Sequence, residues 1–179
     1  MKEKTLLNHR ELYVTLERLA YQLIENHGDF SHSAIIGIQP RGVSVAKKIY
    51  SLVSSILNVE DIKLGFLDIT FFRDDFRIKK DSLKVSKTSI DFLVDGKKII
   101  LIDDVLYSGR SVCSAFAAIN SFGRPLKIEL LTLIDRRFSR DTPIQADYKG
   151  KEVDSFNTER VVVKWEETHG EEGVFLVDN

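Results

Sequence analysis

An α/β fold, with a central and mostly parallel sheet flanked by helices, is predicted by three features of the sequence. Apolar runs at 33–38, 98–102 and 128–134 show no polar alternation, as strands covered on both faces do. Between them lie segments whose apolar residues recur at helical spacing. Short joints containing Gly or Pro connect the two kinds of segment, the pattern of successive strand–helix units. The 179 residues suit one domain, 1–179, and no repeat or Pro-rich or Gly/Ser-rich linker divides them.

Each element has its own signal. Asn8 is a candidate cap for a helix whose Leu12, Leu16, Leu19 and Leu23 form one stripe, ended by Asn26, His27 and Gly28. Residues 33–38 make a buried strand, broken by Gln39-Pro40-Arg41-Gly42. A second helix over 43–57 is expected to turn Val45, Ile49, Leu52 and Ile56 inward, and 63–72 to form another strand. Residues 73–87 then gather Arg73, Arg77, Lys79, Lys80, Lys84 and Lys87 against Asp74, Asp75 and Asp81. Phe76 and Ile78, then Leu83 and Val85, alternate around Lys80-Asp81 as in a two-stranded arm. After the strand at 98–102, Val112, Ala115, Phe116, Ile119 and Phe122 mark a helix that Gly123-Arg124-Pro125 stops. Beyond Asp135 the periodicity loosens. Residues 161–165 and 174–177 read as late strands, one at the sheet edge.

Composition narrows the function. Lys plus Arg is 26 and Asp plus Glu is 27, so no global basic field draws the chain to nucleic acid. The single cysteine, Cys113, excludes an intrachain disulfide framework and a multi-cysteine zinc site. It reads as a small buried helix residue, and His9, His27, His32 and His169, in no metal-ligand spacing, as surface residues. Trp165 reads as a packing residue. No apolar run approaches membrane-spanning length and the opening residues lack a signal core, so a reducing cytoplasm and no membrane are expected.

Chemistry concentrates in Ile99-Ile100-Leu101-Ile102-Asp103-Asp104-Val105-Leu106-Tyr107-Ser108-Gly109-Arg110-Ser111. A buried strand ends in two carboxylates, a short turn with hydroxyls and a Gly follows, and a helix begins. Ligands of parallel sheets bind beyond the carboxyl ends of the strands. The N–H groups of a helix start suit a phosphate. Gly109 admits close approach, and a β-carbon there is expected to obstruct that phosphate or force an unfavourable backbone. Two carboxylates beside a phosphate cradle can accept hydrogen bonds from vicinal hydroxyls, the combination a ribose 5-phosphate presents. An Asp-Asp pair alone is usually a solvated strand end; the whole strand–turn–helix pattern is what points to a ligand.

This segment resembles the phosphoribosyl-diphosphate motif of the type I phosphoribosyltransferases, in the form used by the PyrR family of uracil phosphoribosyltransferases and pyrimidine operon attenuators. Further matches follow in order: Ile36-Gly37-Ile38-Gln39-Pro40-Arg41-Gly42 is similar to the family's pyrophosphate loop, and Leu67-Asp68-Ile69-Thr70-Phe71-Phe72-Arg73-Asp74-Asp75 to the start of its mobile active-site loop. Gly123-Arg124-Pro125 and Pro143-Ile144-Gln145-Ala146-Asp147-Tyr148-Lys149-Gly150-Lys151 resemble its later segments. The resemblance implies a type I phosphoribosyltransferase-like fold with a mobile loop at 73–90 and a hood at 135–157. The implied reaction moves ribose 5-phosphate from phosphoribosyl diphosphate to uracil or a related base, with Mg²⁺, releasing pyrophosphate. Asp103 and Asp104 become the catalytic pair, Asp103 also touching a largely substrate-held Mg²⁺. Val105, Leu106, Tyr107, Ser108, Gly109, Arg110 and Ser111 bind the ribose 5-phosphate. Pro40, Arg41, Gly42, Arg73, Asp135 and Arg136 bind pyrophosphate, and the basic arm closes over the site. A homo-oligomer, dimer or tetramer, is implied as well.

Two departures bear on the base and on RNA. The family's hood usually reads Asp-Arg-Gly-His-Arg-Glu-Leu-Pro-Ile; here Asp135-Arg136-Arg137-Phe138-Ser139-Arg140-Asp141-Thr142-Pro143-Ile144 is one residue longer and lacks the Gly and His. RNA-regulating members carry basic residues and a His on the first helix, where this chain shows Val14, Glu17, Arg18, Tyr21 and Glu25, and Gln145 replaces an Arg. An enzyme therefore ranks above the alternative, an RNA-binding attenuator that responds to UMP with little catalysis. That alternative draws only on Arg18, Arg137, Arg140, Lys149 and Lys151.

Overall fold

In the computed structural model, which describes residues 3–74, 86–156 and 158–178, the predicted parallel sheet is present. Its strands are β2 (Ser33–Ile38), β3 (Lys63–Leu67), β4 (Lys98–Leu106), β5 (Lys127–Arg137) and β6 (Tyr148–Asp154), in the order β3-β2-β4-β5-β6. Every neighbouring pair is parallel. The apolar runs lack alternation because both faces are covered. Ile35, Ile100, Ile102 and Leu131 pack with α1 (His9–His27) and α2 (Gly42–Leu57) on one face. Ala34, Ile36, Ile99 and Leu101 pack under α3 (Arg110–Asn120) on the other.

The first helix is as predicted, capped by Asn8 and Glu11 in a reciprocal pair of hydrogen bonds of 3.0 and 2.9 Å. The second helix is rotated from its expected face. Val45, Ala46, Ile49 and Val53 are buried, whereas Ile56 is exposed. Gly42 sets that rotation: a β-carbon there would overlap the Ile102 carbonyl oxygen, so only glycine lets α2 start flush against β4. The predicted strand at 63–72 stops at Leu67. Asp68 Oδ1 accepts from the Thr70 N–H (2.8 Å) and hydroxyl (2.5 Å), folding Thr70–Phe72 into a 3₁₀ turn. Asp68 Oδ2 accepts from the Ser86 N–H (2.6 Å), so one carboxylate gathers both sides of the 73–90 segment. The arm residues Phe76, Ile78, Leu83 and Val85 lie outside the described residues.

The hood differs most from expectation. The late strands do not edge the main sheet. With β1 (Glu3–Leu7), β7 (Glu159–Lys164) and β8 (Gly173–Asp178) form a separate antiparallel sheet, ordered β1-β8-β7. Part of 135–157 belongs to the main sheet instead: β5 runs through Arg137 and β6 covers its outer edge. β6 is rich in charge, as suits an edge strand. The short α4 (Glu166–His169) joins β7 to β8. Two isolated expectations also fail. Cys113 is exposed on α3. The His27 ring is buried, with contacts to Glu129 (2.8 Å) and Ser33 (2.9 Å). Burial lowers the His27 pKa, with Glu129 opposing that shift. Trp165 packs in the core as read from sequence. No described helix is long and apolar enough to cross a membrane.

Candidate active site

The carboxyl ends of β2, β4 and β5 share one edge of the sheet, and β7 faces them across a cleft of about 540 Å³. Its floor is the end of β4. The strand does not stop at the acids but continues to Leu106, carrying Asp103 and Asp104 within it. Both residues are buried. Asp103 Oδ1 accepts from the Asp104 N–H at 2.9 Å, and Asp104 Oδ1 from the Val105 N–H at 2.7 Å. Burial pushes the Asp103 carboxyl well above the usual carboxylate range, and the neighbouring Asp104 charge adds to the shift. Burial raises Asp104 too, while the Arg41 guanidinium partly offsets it.

Two helices begin at this cleft, and neither has a side-chain cap: α2 after Arg41, and α3 after Gly109. Their leading N–H groups and the positive ends of their dipoles favour an anion. The capped helix, α1, starts with β1 on the hood side. Gly109 adopts φ +88°. A β-carbon there would overlap Thr142 Oγ1, so the glycine makes room for the neighbouring loop. The backbone at this φ is itself unfavourable for any residue with a β-carbon, as expected from the sequence.

Pro40, Arg41, Arg73, Asp103 and Asp104 line the cleft, as do Val105, Tyr107, Ser111 and Arg136. Other predicted residues serve from behind it. Gly42 seats α2 on β4. Leu106 is buried in the core, its N–H donating to Thr132 Oγ1 at 3.1 Å. The Ser108 carbonyl accepts from the Asp141 N–H (2.9 Å) and Thr142 hydroxyl (3.1 Å). Arg110 directs its guanidinium outward to Asp74 and Asp141. Asp135 is turned away: it pairs with Arg140 and, at 3.6 Å, with Lys149, and it lines a different surface depression. Arg136, the next residue along β5, lines the cleft that Asp135 leaves. Arg136 stacks over the Tyr107 ring at 4.1 Å and donates to Ser155 Oγ (2.7 Å) and the Phe156 carbonyl (3.0 Å). It stands at the end of β5, across β4 from Arg41.

A family model for the phosphoribosyl transferase domain matches residues 2–168. The bifunctional protein PyrR of Elusimicrobium minutum is 40% identical over 175 residues, 98% of this chain and 97% of its own length. That of Microcystis aeruginosa is 42% identical, covering 96% of each. The chain belongs to the PyrR family of phosphoribosyltransferases. Solved structures carry the fold further: a hypoxanthine-guanine phosphoribosyltransferase from Bacillus anthracis superposes with a TM-score of 0.73 over 100% of both chains at 17% identity. A hypoxanthine phosphoribosyltransferase of Trypanosoma cruzi gives 0.73 at 13% identity, over 98% of this chain and 96% of its own.

Gln39 and Ile69, from the two matched loops, also line the PyrR-family cleft, and the hood adds Glu159, Arg160 and Val161, which the sequence did not single out. The charged pair just before the apolar run 161–163 was the available signal. It could be placed only by knowing that β7 leaves the main sheet. The Ala146-Asp147-Tyr148 match is structural in this PyrR-family chain: Asp147 Oδ2 accepts from the Leu130 N–H at 2.8 Å and the Tyr148 hydroxyl donates to Glu129 at 3.0 Å.

Proposed function

We propose that this phosphoribosyltransferase moves ribose 5-phosphate from phosphoribosyl diphosphate to a pyrimidine base, uracil foremost, and releases pyrophosphate. The observation that carries this reading is the buried Asp103–Asp104 pair between two uncapped helix starts, with Arg41 beside it. The turn 105–111 takes the 5-phosphate through the first N–H groups of α3 and the Ser111 hydroxyl. Asp103 and Asp104 accept from the ribose hydroxyls. As the C1–O bond breaks, the electron pair leaves on pyrophosphate and positive charge grows on the ribose. The two buried carboxylates oppose that charge. The base nitrogen supplies the pair for the new C1–N bond and loses its proton. Arg41 and the start of α2 hold the pyrophosphate. Arg136, held over Tyr107 on the far side of β4, faces the base rather than the leaving group.

Phosphoribosyltransferases generally use Mg²⁺ with phosphoribosyl diphosphate. Among the described residues no group of three or more His, Cys, Asp or Glu could hold a metal. That fits an ion bound through one or two carboxylates, with phosphate oxygens and water completing its shell. Asp103 and Asp104 suit this partial role; when bound, the ion neutralises charge on the departing pyrophosphate.

The alternative, an RNA-binding attenuator, finds less support. All five cations it draws on are engaged within the chain. Arg18 donates to the Lys149 and Gly150 carbonyls (3.0 and 2.6 Å), Arg137 pairs with Asp154, and Arg140 with Asp135. Lys149 pairs with Glu152, and Lys151 donates to the Leu6 carbonyl. Pyrophosphate release from phosphoribosyl diphosphate, measured against a panel of bases, tests the proposal. Release that depends on uracil supports it, and no release with any base refutes it.

A further inference from the structure

The end of the sheet opposite the cleft holds a buried titratable cluster that the proposed reaction does not use. His27 is the last residue of α1, and its side chain is 1% exposed. Three strands meet the ring at their amino ends. From β2, Ser33 Oγ lies 2.9 Å from Nδ1. From β5, Glu129 Oε2 lies 2.8 Å from Nε2, and from β6 the Tyr148 hydroxyl lies 3.2 Å from the same nitrogen. Phe30 packs beside the ring, with centroids 5.5 Å apart. None of these residues lines the cleft.

The hydrogen bonds define the state of the ring. Burial opposes ionisation of Glu129, yet Lys127 and Tyr148 hold its carboxyl below the ordinary value, so at neutral pH it is a carboxylate and only accepts. Nε2 therefore carries a proton and gives it to Oε2, as the Tyr148 hydroxyl does at 3.0 Å. Nδ1 accepts from the Ser33 hydroxyl, which satisfies both ring nitrogens with the imidazole neutral. The charges around the ring already balance. Glu129 pairs with Lys127, two residues back on β5. Asp147, just before β6, acts on Lys127 and Tyr148, and Lys98 of β4 acts on His27. Two carboxylates thus match two ammonium groups, and burial and Glu129 keep the Tyr148 hydroxyl protonated. A second proton on His27 adds one unmatched positive charge to a buried ring; burial and the two lysines together outweigh Glu129.

We propose that His27 is a proton-operated joint: as the neutral imidazole it ties the end of α1 to β2, β5 and β6, and as the imidazolium it leaves the cluster for water and frees that end of the helix. A ring released into water takes up its proton as pH falls through about 6.5, whereas the buried ring does not, so acid favours release. Between about pH 7.5 and about pH 5.5 the released fraction should rise by up to about tenfold. The inference does not rest on the phosphoribosyl-transfer reading, because no group of the cluster belongs to that site.

Hydrogen exchange of the full chain at those two pH values, corrected for the intrinsic effect of pH, tests the joint. The probes are the amides of Gly28, Phe30 and Ser33, bonded to the carbonyls of Ile24, His27 and Phe30. In the wild type their protection should fall by several-fold to about tenfold in acid, while Ile100 and Leu101 in β4 keep theirs. His27→Gln retains a donor for Glu129 and cannot titrate, so the acid effect should vanish. Lys127→Gln, at an exposed position, leaves Glu129 free to balance the imidazolium, so the effect should shrink. The His27 ring resonances of the wild type should titrate with a midpoint below the ordinary value. No loss of protection in the wild type overturns the proposal, as does an equal loss in His27→Gln or a loss spread evenly through β4. A ring that titrates at or above the ordinary value with its protection intact also overturns it, for the imidazolium then stays in the cluster. Should His27→Gln fail to fold, Lys127→Gln and the ring titration decide: an acid effect undiminished in Lys127→Gln refutes the charge balance on which the joint depends.

Discussion

Arg140 belongs to the altered hood segment, and the structure gives it a definite task. Its Nε donates to the Ile144 carbonyl (3.1 Å), and its Nη1 reaches the carbonyls of Leu106 (3.1 Å), Arg136 (3.0 Å) and Tyr107. Nη2 pairs with Asp135, whose side chain is only 5% exposed. One guanidinium therefore ties the end of β4, the end of β5 and the loop before β6. Arg140→Met keeps much of the aliphatic stem and removes these donors. Asp135 is then left buried with Lys149 at 3.6 Å as its remaining ion-pair partner. Breaking a buried pair costs about 3–5 kcal/mol. Because the Arg140 side chain is 23% exposed, the lower end applies, about 3 kcal/mol. For a chain of this size that lowers the Tm by about 6–12 °C. The Leu106 and Tyr107 carbonyls lie at the start of the phosphate turn, so the KM for phosphoribosyl diphosphate should rise as well. Thermal melts of Arg140→Met, Asp135→Asn and the double variant form the assay. The double variant should recover part of the loss, with a coupling of about 1–3 kcal/mol. A Tm loss under 2 °C in Arg140→Met, or strict additivity in the cycle, would refute the reasoning.

Two further substitutions separate stability from activity. Asp104→Asn should cut turnover by about 2–4 kcal/mol of transition-state stabilisation, and a rate within twofold of wild type removes it from the catalytic pair. Asp103→Asn should stabilise the ligand-free protein. Its folded carboxyl holds a proton more tightly than the unfolded chain does, so its penalty is absent below the ordinary carboxylate pKa and grows as pH rises through the raised folded value. Urea midpoints of wild type and Asp103→Asn should thus converge near pH 4 and separate toward pH 8, with the variant the more stable; the opposite order contradicts the burial argument. Gly42→Ala should cost about 1–3 kcal/mol through overlap with the Ile102 carbonyl. Because its β-carbon would also lie 3.1 Å from Asp103 Cα, kcat/KM should fall with the midpoint, and an unperturbed melt counts against the close approach.

The parts of this molecule legible in its sequence are those whose burial is complete. β2, β4 and β5 lie between two layers of helix, so both faces select apolar residues and the runs stand out. The Asp103–Ser111 turn was legible because strand, turn and helix each leave a local signature. β1 and β6 left none: β1 offers only Leu6 and Leu7 to the core, and β6 is a charged edge held by backbone pairing. The rotation of α2 depended on a single carbonyl from β4, a contact distant in sequence. His27 read as a surface residue because its partners, Ser33, Glu129 and Tyr148, meet only in the folded chain. Arg160 was overlooked for the same reason: its place at the site follows from β7 joining β1 and β8 over the strand ends.

That three-stranded hood has a consequence for how activity arises in time. Glu3 sits opposite Val177, and Thr5 opposite Phe175, the pairings most distant in sequence. At ordinary rates of synthesis the first strand waits roughly 10–30 s for its partner to emerge. Meanwhile β2 to β6 can close into a sheet with the helices laid on it. Pairings of such long range form late, so the chain should become compact before it can grip its substrate. In refolding, the far-ultraviolet signal should therefore return ahead of pyrophosphate binding, the last joint made being the one that completes the cleft.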